Sequence, residues 1–241
     1  MGRAGLLADA ALIFKKDLRI ERSSKVVTVQ VLPFAVMTLI LFGFGISPDA
    51  RVLLGSEESR TVLAQVTPGL IFIAVLFSAL LALGRSFGVE SSDGTLDGLR
   101  LAGLDPAGIF LGKAAAVMVQ LAMVSAVVTG GAFLLFSVDV GWSPSRAVLL
   151  VTTVGAATTG IAAAGTLYGA LAAGLRVRDT LVPLLVIPVL APVLLGAGQA
   201  ADAALFGAVA DGWPWVGALA LFALVYVGVG ILSFESLLED A

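Results

Sequence analysis

Two stretches of this chain gather most of the side chains that could do chemistry. Residues 15–22 hold Lys15, Lys16, Asp17, Arg19, Glu21 and Arg22, and residues 90–113 hold Glu90, Asp93, Asp97, Arg100, Asp105 and Lys113. The second ends in Gly108-Ile-Phe-Leu-Gly-Lys113, whose Gly-Lys ending has the look of a phosphate cradle. That motif needs four residues between its glycines and a Ser or Thr after the lysine to hold magnesium. Here three intervene and Ala114 follows, so any ATP used must be bound and hydrolysed by a partner. The chain has no histidine and no cysteine. The commonest general base, metal ligand and haem ligand are lost together, along with disulfides, Fe–S clusters and thiolate chemistry. Of the four methionines, Met37, Met118 and Met123 fall in or near apolar stretches, where packing is the expected role rather than haem ligation. No catalytic residue, metal site or intrinsic cofactor is expected.

The elements that position these residues must lie in lipid. Of 241 residues, 59% are hydrophobic and 13% charged, with a mean hydropathy of +1.06. Soluble domains carry roughly 25% charged residues. The net charge of −3 includes no basic domain, so nucleic acid is not an expected partner. A crossing helix needs about 20 mostly apolar residues. Six stretches qualify: 26–46, 62–84, 114–138, 147–175, 180–198 and 213–234. The expected fold is therefore all-α, a single polytopic transmembrane domain over 1–241. The fourth stretch is the longest and should tilt or project. The fifth contains Pro183, Pro188 and Pro192, which predict a kinked or broken helix or a re-entrant hairpin.

Lys and Arg set the orientation. Eleven basic residues fall in the N-terminal segment and the loops after spans two and four, against three (Arg51, Arg60, Arg146) on the other side. Both termini are expected in the cytoplasm. Trp142, Trp213 and Trp215 fall at outer span ends and read as interface anchors. No Asp, Glu, Lys or Arg lies inside the six stretches, which speaks against an ion-coupled transporter or pump. Gln30, Gln65 and Gln120 read as glue between helices. Gly165 and Gly169, preceded by Gly160, make a small-residue stripe that either seats a second helix closely or reflects only the Ala/Gly-rich composition.

Each charged segment has two readings. Ahead of the first span, Leu7, Ala11, Phe14 and Leu18 form one helical stripe, and Lys15, Arg19 and Arg22 form another. This predicts an amphipathic helix lying in the cytoplasmic leaflet, its cations reaching lipid phosphates. The alternative is a charged tail that only sets topology. Between spans two and three, Ser92 or Asp93 would cap a short helix through Leu104, with Leu96 and Leu99 apolar, ended by Gly103 and Pro106. Such a helix either sits in a groove of another protein or lies against the membrane or its own bundle.

Lys16-Asp-Leu-Arg-Ile-Glu-Arg22 resembles the N-terminus of the heme exporter protein B family, the permease subunit of the cytochrome c maturation ABC transporter. Arg85-Ser-Phe, Glu90, Asp93-Gly-Thr-Leu-Asp97 and Phe110-Leu-Gly-Lys113 are similar to that family's first cytoplasmic loop, and part of this pattern is shared by ABC-2-like permeases generally. Gly84, in place of an acidic residue, and Ala102-Gly103, in place of Ala-Pro, depart from it. The resemblance implies a bacterial inner-membrane homodimer seated on two copies of a cytoplasmic ATPase. It assigns ATPase coupling to Lys16, Asp17, Arg19, Glu21 and Arg22 and to Glu90, Asp93, Gly94, Leu96, Asp97 and Leu99. It further implies a membrane haem-handling protein and a small accessory subunit, with haem as the possible substrate. The competing readings are an ABC-2-type permease for a lipid, polysaccharide or drug, and a non-conducting scaffold for the ATPase and a haem-handling protein.

Overall fold

The computed structural model describes residues 3–25, 27–45, 62–92, 103–135, 143–173 and 178–240. Helix α1 (Arg3–Ser24) leads through a π-helical turn (Val27–Val31) into α2 (Leu32–Gly45). Then follow α3 (Val62–Ser92), α4 (Pro106–Leu135), α5 (Pro144–Ala173), α6 (Arg178–Leu205) and α7 (Val209–Asp240). The described residues contain no strand. Helices α3 to α7 are each long and apolar enough to cross a membrane, and α1 with α2 makes a sixth candidate whose axis bends by 55°. The protein is a polytopic all-α membrane protein.

Local chemistry sets the helix boundaries. Asp105 caps α4: its Oδ1 accepts from the Ala107 amide at 2.9 Å, and Pro106 takes the first helical position, where no N–H is needed. Ser143 and Pro144 repeat the device on α5, with the Arg146 amide donating to Ser143 Oγ at 3.3 Å. Gly103 has φ +68, a backbone shape that suits glycine. Lys25 ends α1 in the same left-handed region, at φ 52, despite its side chain.

One expectation needs correction. Helix α6 is continuous for 28 residues through Pro183, Pro188 and Pro192, not broken or re-entrant. Each proline removes one N–H, but Val182, Val186, Leu190, Val193, Ala197 and Ala201 form a buried stripe that runs past all three. Packing holds the helix where its own ladder is thinned.

The core joins α3, α4, α5, α6 and α7, with smaller clusters where α2 meets α3 and α4, and where α1 meets α4, α5 and α7. Helix α4 takes part in all three. The buried hydroxyls of Ser78, Thr153 and Thr158 donate to carbonyls one turn back, at 2.7–2.8 Å, so they sit in apolar surroundings without bare donors. Gln120 is buried, while Gln30 and Gln65 are exposed and do not act as glue within the chain. Met118 packs between helices and accepts the Thr159 hydroxyl at 3.3 Å, whereas Met37 and Met123 lie on outward faces.

Candidate functional site

The two charged segments meet. Helix α1 docks along the first two turns of α4, and the contact begins at the helix start, where the Asp105 amide donates to Asp9 Oδ2 at 3.0 Å. A carboxylate from one helix thereby adds negative charge at the positive end of another. One turn further, a Cβ on Gly108 would stand 2.9 Å from the Leu6 carbonyl oxygen. One on Gly112 would stand 2.6 Å from the Ala10 carbonyl and 2.7 Å from Ile13 Cβ. Backbone lies against backbone here, and only glycine permits that approach.

Lys113 follows at once. Its side chain is 1% exposed, and its Nζ lies 3.5 Å from Asp17 Oδ2. The other carboxylate oxygen of Asp17 is 3.4 Å from Lys16 Nζ. Phe110, fully buried, presses its ring onto Gly230 of α7 and sits 5.4 Å from the Phe234 ring. Ile13 joins the same cluster with Ala163, Leu167 and Ala170 of α5. Helix α1 is thus clamped to α4 by glycines, a cap and an ion pair, and through Phe110 to α7. This arrangement is suited to passing a displacement between helices. Among the described residues no group of three metal-ligating side chains gathers anywhere.

The placement of the expected residues is uneven. Lys16, Asp17 and Glu21 are partly buried, and Arg19 and Arg22 are exposed. Glu90 lies in the last turn of α3, which runs two turns past the expected end of its span. Asp93, Gly94, Leu96, Asp97 and Leu99 lie outside the described residues. The docked face of α1 is Leu6, Asp9, Ala10, Ile13 and Asp17, while Leu7 and Ala11 of the apolar stripe face away from the bundle. A Cβ on Gly160 would stand 3.1 Å from the Phe222 ring of α7, Gly165 is pressed by the Leu83 side chain of α3, and Gly169 is buried. The close backbone approach is at Gly108 and Gly112, whose small-xxx-small spacing is the sequence signal for it.

At the opposite end, Arg146 of α5 donates to the carbonyls of Ala204 at 3.0 Å and Gly207 at 3.1 Å. It closes the α6–α7 turn by taking up orphan carbonyls at the end of α6. Trp213 and Trp215 stand 44% and 43% exposed just beyond it.

Residues 8–237 match the family described as CcmB protein, a span that includes Asp9, Asp17, Gly108, Gly112 and Lys113. The chain belongs to the CcmB family. It is 29% identical over 223 residues to Heme exporter protein B of Haemophilus influenzae, covering 92% of this chain and 91% of that one. With the Escherichia coli K12 protein of that name identity is 30% over 227 residues, 92% of each chain. With that of Bradyrhizobium diazoefficiens it is 27% over 223 residues, 91% and 93%. The CcmB match thus takes in both halves of the α1–α4 junction.

Proposed function

We propose that this chain is the membrane permease subunit of an ABC transporter that exports haem for c-type cytochrome assembly, powered by a separate ATPase. The observation that carries the mechanism is the α1–α4 junction, which makes one mechanical body of two segments far apart in sequence. Family membership and the name shared by its relatives support haem as cargo. The ATPase engages the segment holding Glu90, Asp93, Gly94, Leu96, Asp97 and Leu99, next to the start of α4. Lys16, Asp17 and Glu21 secure α1 as the lever beside it. Displacement then travels along α4, and through Phe110 to Gly230 and Phe234 on α7.

The excess of basic residues in the N-terminal segment and alternate loops supports cytoplasmic termini in a bacterial inner membrane. The assembly is a homodimer on two ATPase copies, joined by a membrane haem-handling protein and a small accessory subunit. Without His or Cys, the chain holds haem by shape and apolar contact, or leaves its ligation to the partner. Affinity purification from native membranes in mild detergent, with partners identified by mass spectrometry, tests this. An ATPase recovered together with a haem-binding membrane protein is the expected result. An ATPase without a haem-handling partner refutes the cargo, and no ATPase at all refutes the coupling.

A further inference from the structure

The chain has two tyrosines, and the fold brings them together from different helices. The rings of Tyr168 on α5 and Tyr226 on α7 stand 6.4 Å apart, and their hydroxyls share a hydrogen bond. Phe222, one turn before Tyr226, adds a third ring at 4.5 Å. Both tyrosines are partly buried. Leu171, Val225 and Val229 beside them are 47%, 52% and 41% exposed, so the pair opens on an apolar outer face.

A tyrosine that only anchors a helix sends its hydroxyl to head groups or water. These two turn to each other instead. Their bond uses one hydrogen and one lone pair, which leaves oxygen lone pairs for an electron-pair acceptor. Tyr226 lies one turn before Gly230, on which Phe110 presses, and Phe110 precedes Lys113, where the uninterrupted apolar run of α4 begins. The pair therefore sits just inside the apolar layer, at the end of the bundle where α1 docks. A flat apolar molecule with an electrophilic centre and acidic groups on one edge matches that position, its body on the rings and its acids at head-group level.

Haem iron takes His, Cys, Met or Tyr as axial ligand. This chain has no His or Cys, and the sulfur of Met118 accepts the Thr159 hydroxyl inside the bundle. Met37 and Met123 lie on outward faces, but a soft thioether raises the potential, whereas a hard phenolate holds ferric iron. A hydrogen bond from a neighbouring group orients and tunes such a ligand.

We propose that Tyr226 ligates ferric haem at this outer face of α5 and α7, with Tyr168 as the positioning residue that donates a hydrogen bond to the Tyr226 oxygen. The inference rests on the haem reading above and adds an iron ligand from this chain to the apolar contact named there. Ferric haem arrives with an axial hydroxide. Tyr226 gives its phenolic proton to that hydroxide, which leaves as water while the iron–phenolate bond forms. The iron stays ferric and no electron moves.

The full chain, purified in detergent without ATPase or haem-handling protein, is titrated with ferric haem and followed by absorption and resonance Raman spectroscopy. A high-spin ferric spectrum with a phenolate charge-transfer band and an Fe–O stretch is expected. Y226F should lose both. Y168F should keep them, bind haem about 10–100-fold more weakly and raise the Fe–O frequency, because the phenolate no longer shares charge with a donor. A purely structural role for Tyr168 would not move that frequency. Haem taken up without the phenolate signature, or with the same spectrum in Y226F, overturns the inference and leaves the cargo standing. No uptake at all also overturns it, and the cargo is then decided by the partners recovered in purification. The first titration uses the unaltered chain, so misfolding of a variant cannot rescue the idea.

Discussion

Lys113 Nζ lies 3.5 Å from Asp17 Oδ2 with the lysine almost wholly buried, so the ion pair is part of the seat on which α1 rests. Burying an ion pair gains little over apolar packing, yet removing one partner alone costs about 3–5 kcal/mol. The 13% exposure of Asp17 puts this junction at the lower end. Asp17→Leu should therefore lower the thermal unfolding temperature of the purified chain more than the double variant Asp17→Leu/Lys113→Met does. Additive losses would show that the two side chains are not coupled.

Gly112 should tolerate no side chain. A Cβ there meets the Ala10 backbone, which cannot rotate away as a flexible side chain would. Overpacking of this kind costs about 1–3 kcal/mol. Gly112→Ala should weaken α1 docking, read as faster proteolysis near residue 24 and a lower unfolding temperature. Gly228→Ala is the control, because its Cβ would meet nothing within 4 Å. Equal behaviour of the two variants would remove Gly112 from the junction.

Arg146 carries two carbonyl bonds that close the α6–α7 turn. Hydrogen bonds from a charged donor contribute about 1.5–3 kcal/mol each. Arg146→Ala should destabilise this end of the bundle, and Arg146→Lys should recover only part of the loss, since an ammonium offers its donors from one nitrogen and not from a planar two-nitrogen fork. Full recovery by lysine would mean that charge alone matters there.

For the ATPase segment, Asp97→Lys and Leu99→Asp should each reduce co-purified ATPase while membrane insertion stays normal. Quantitative blotting of membranes and eluates checks both quantities. Unchanged recovery from both variants would sink the coupling role of that segment.

Hydropathy made the spanning helices legible, because lipid demands long apolar runs whatever the tertiary contacts. It was silent where two helices share a charged interface. The docked face of α1 includes Asp9 and Asp17, whose charge gives no hydropathy signal for a contact with another helix. Pro183, Pro188 and Pro192 do not break α6, because the Val182-to-Ala201 stripe, invisible to a local rule, holds the helix from outside. Gly108 and Gly112 had the right spacing, but identifying their role required knowing which backbone would arrive. That backbone comes from the far end of the chain.

The Asp9–Asp105 contact spans 96 residues. At roughly 5–20 residues per second, ribosomes need about 5–20 s to make that stretch. During that interval α1 has emerged, but the helix that receives it does not yet exist. The first two dozen residues must wait while α2 and α3 are made, and α1 can dock only once the start of α4 has followed them.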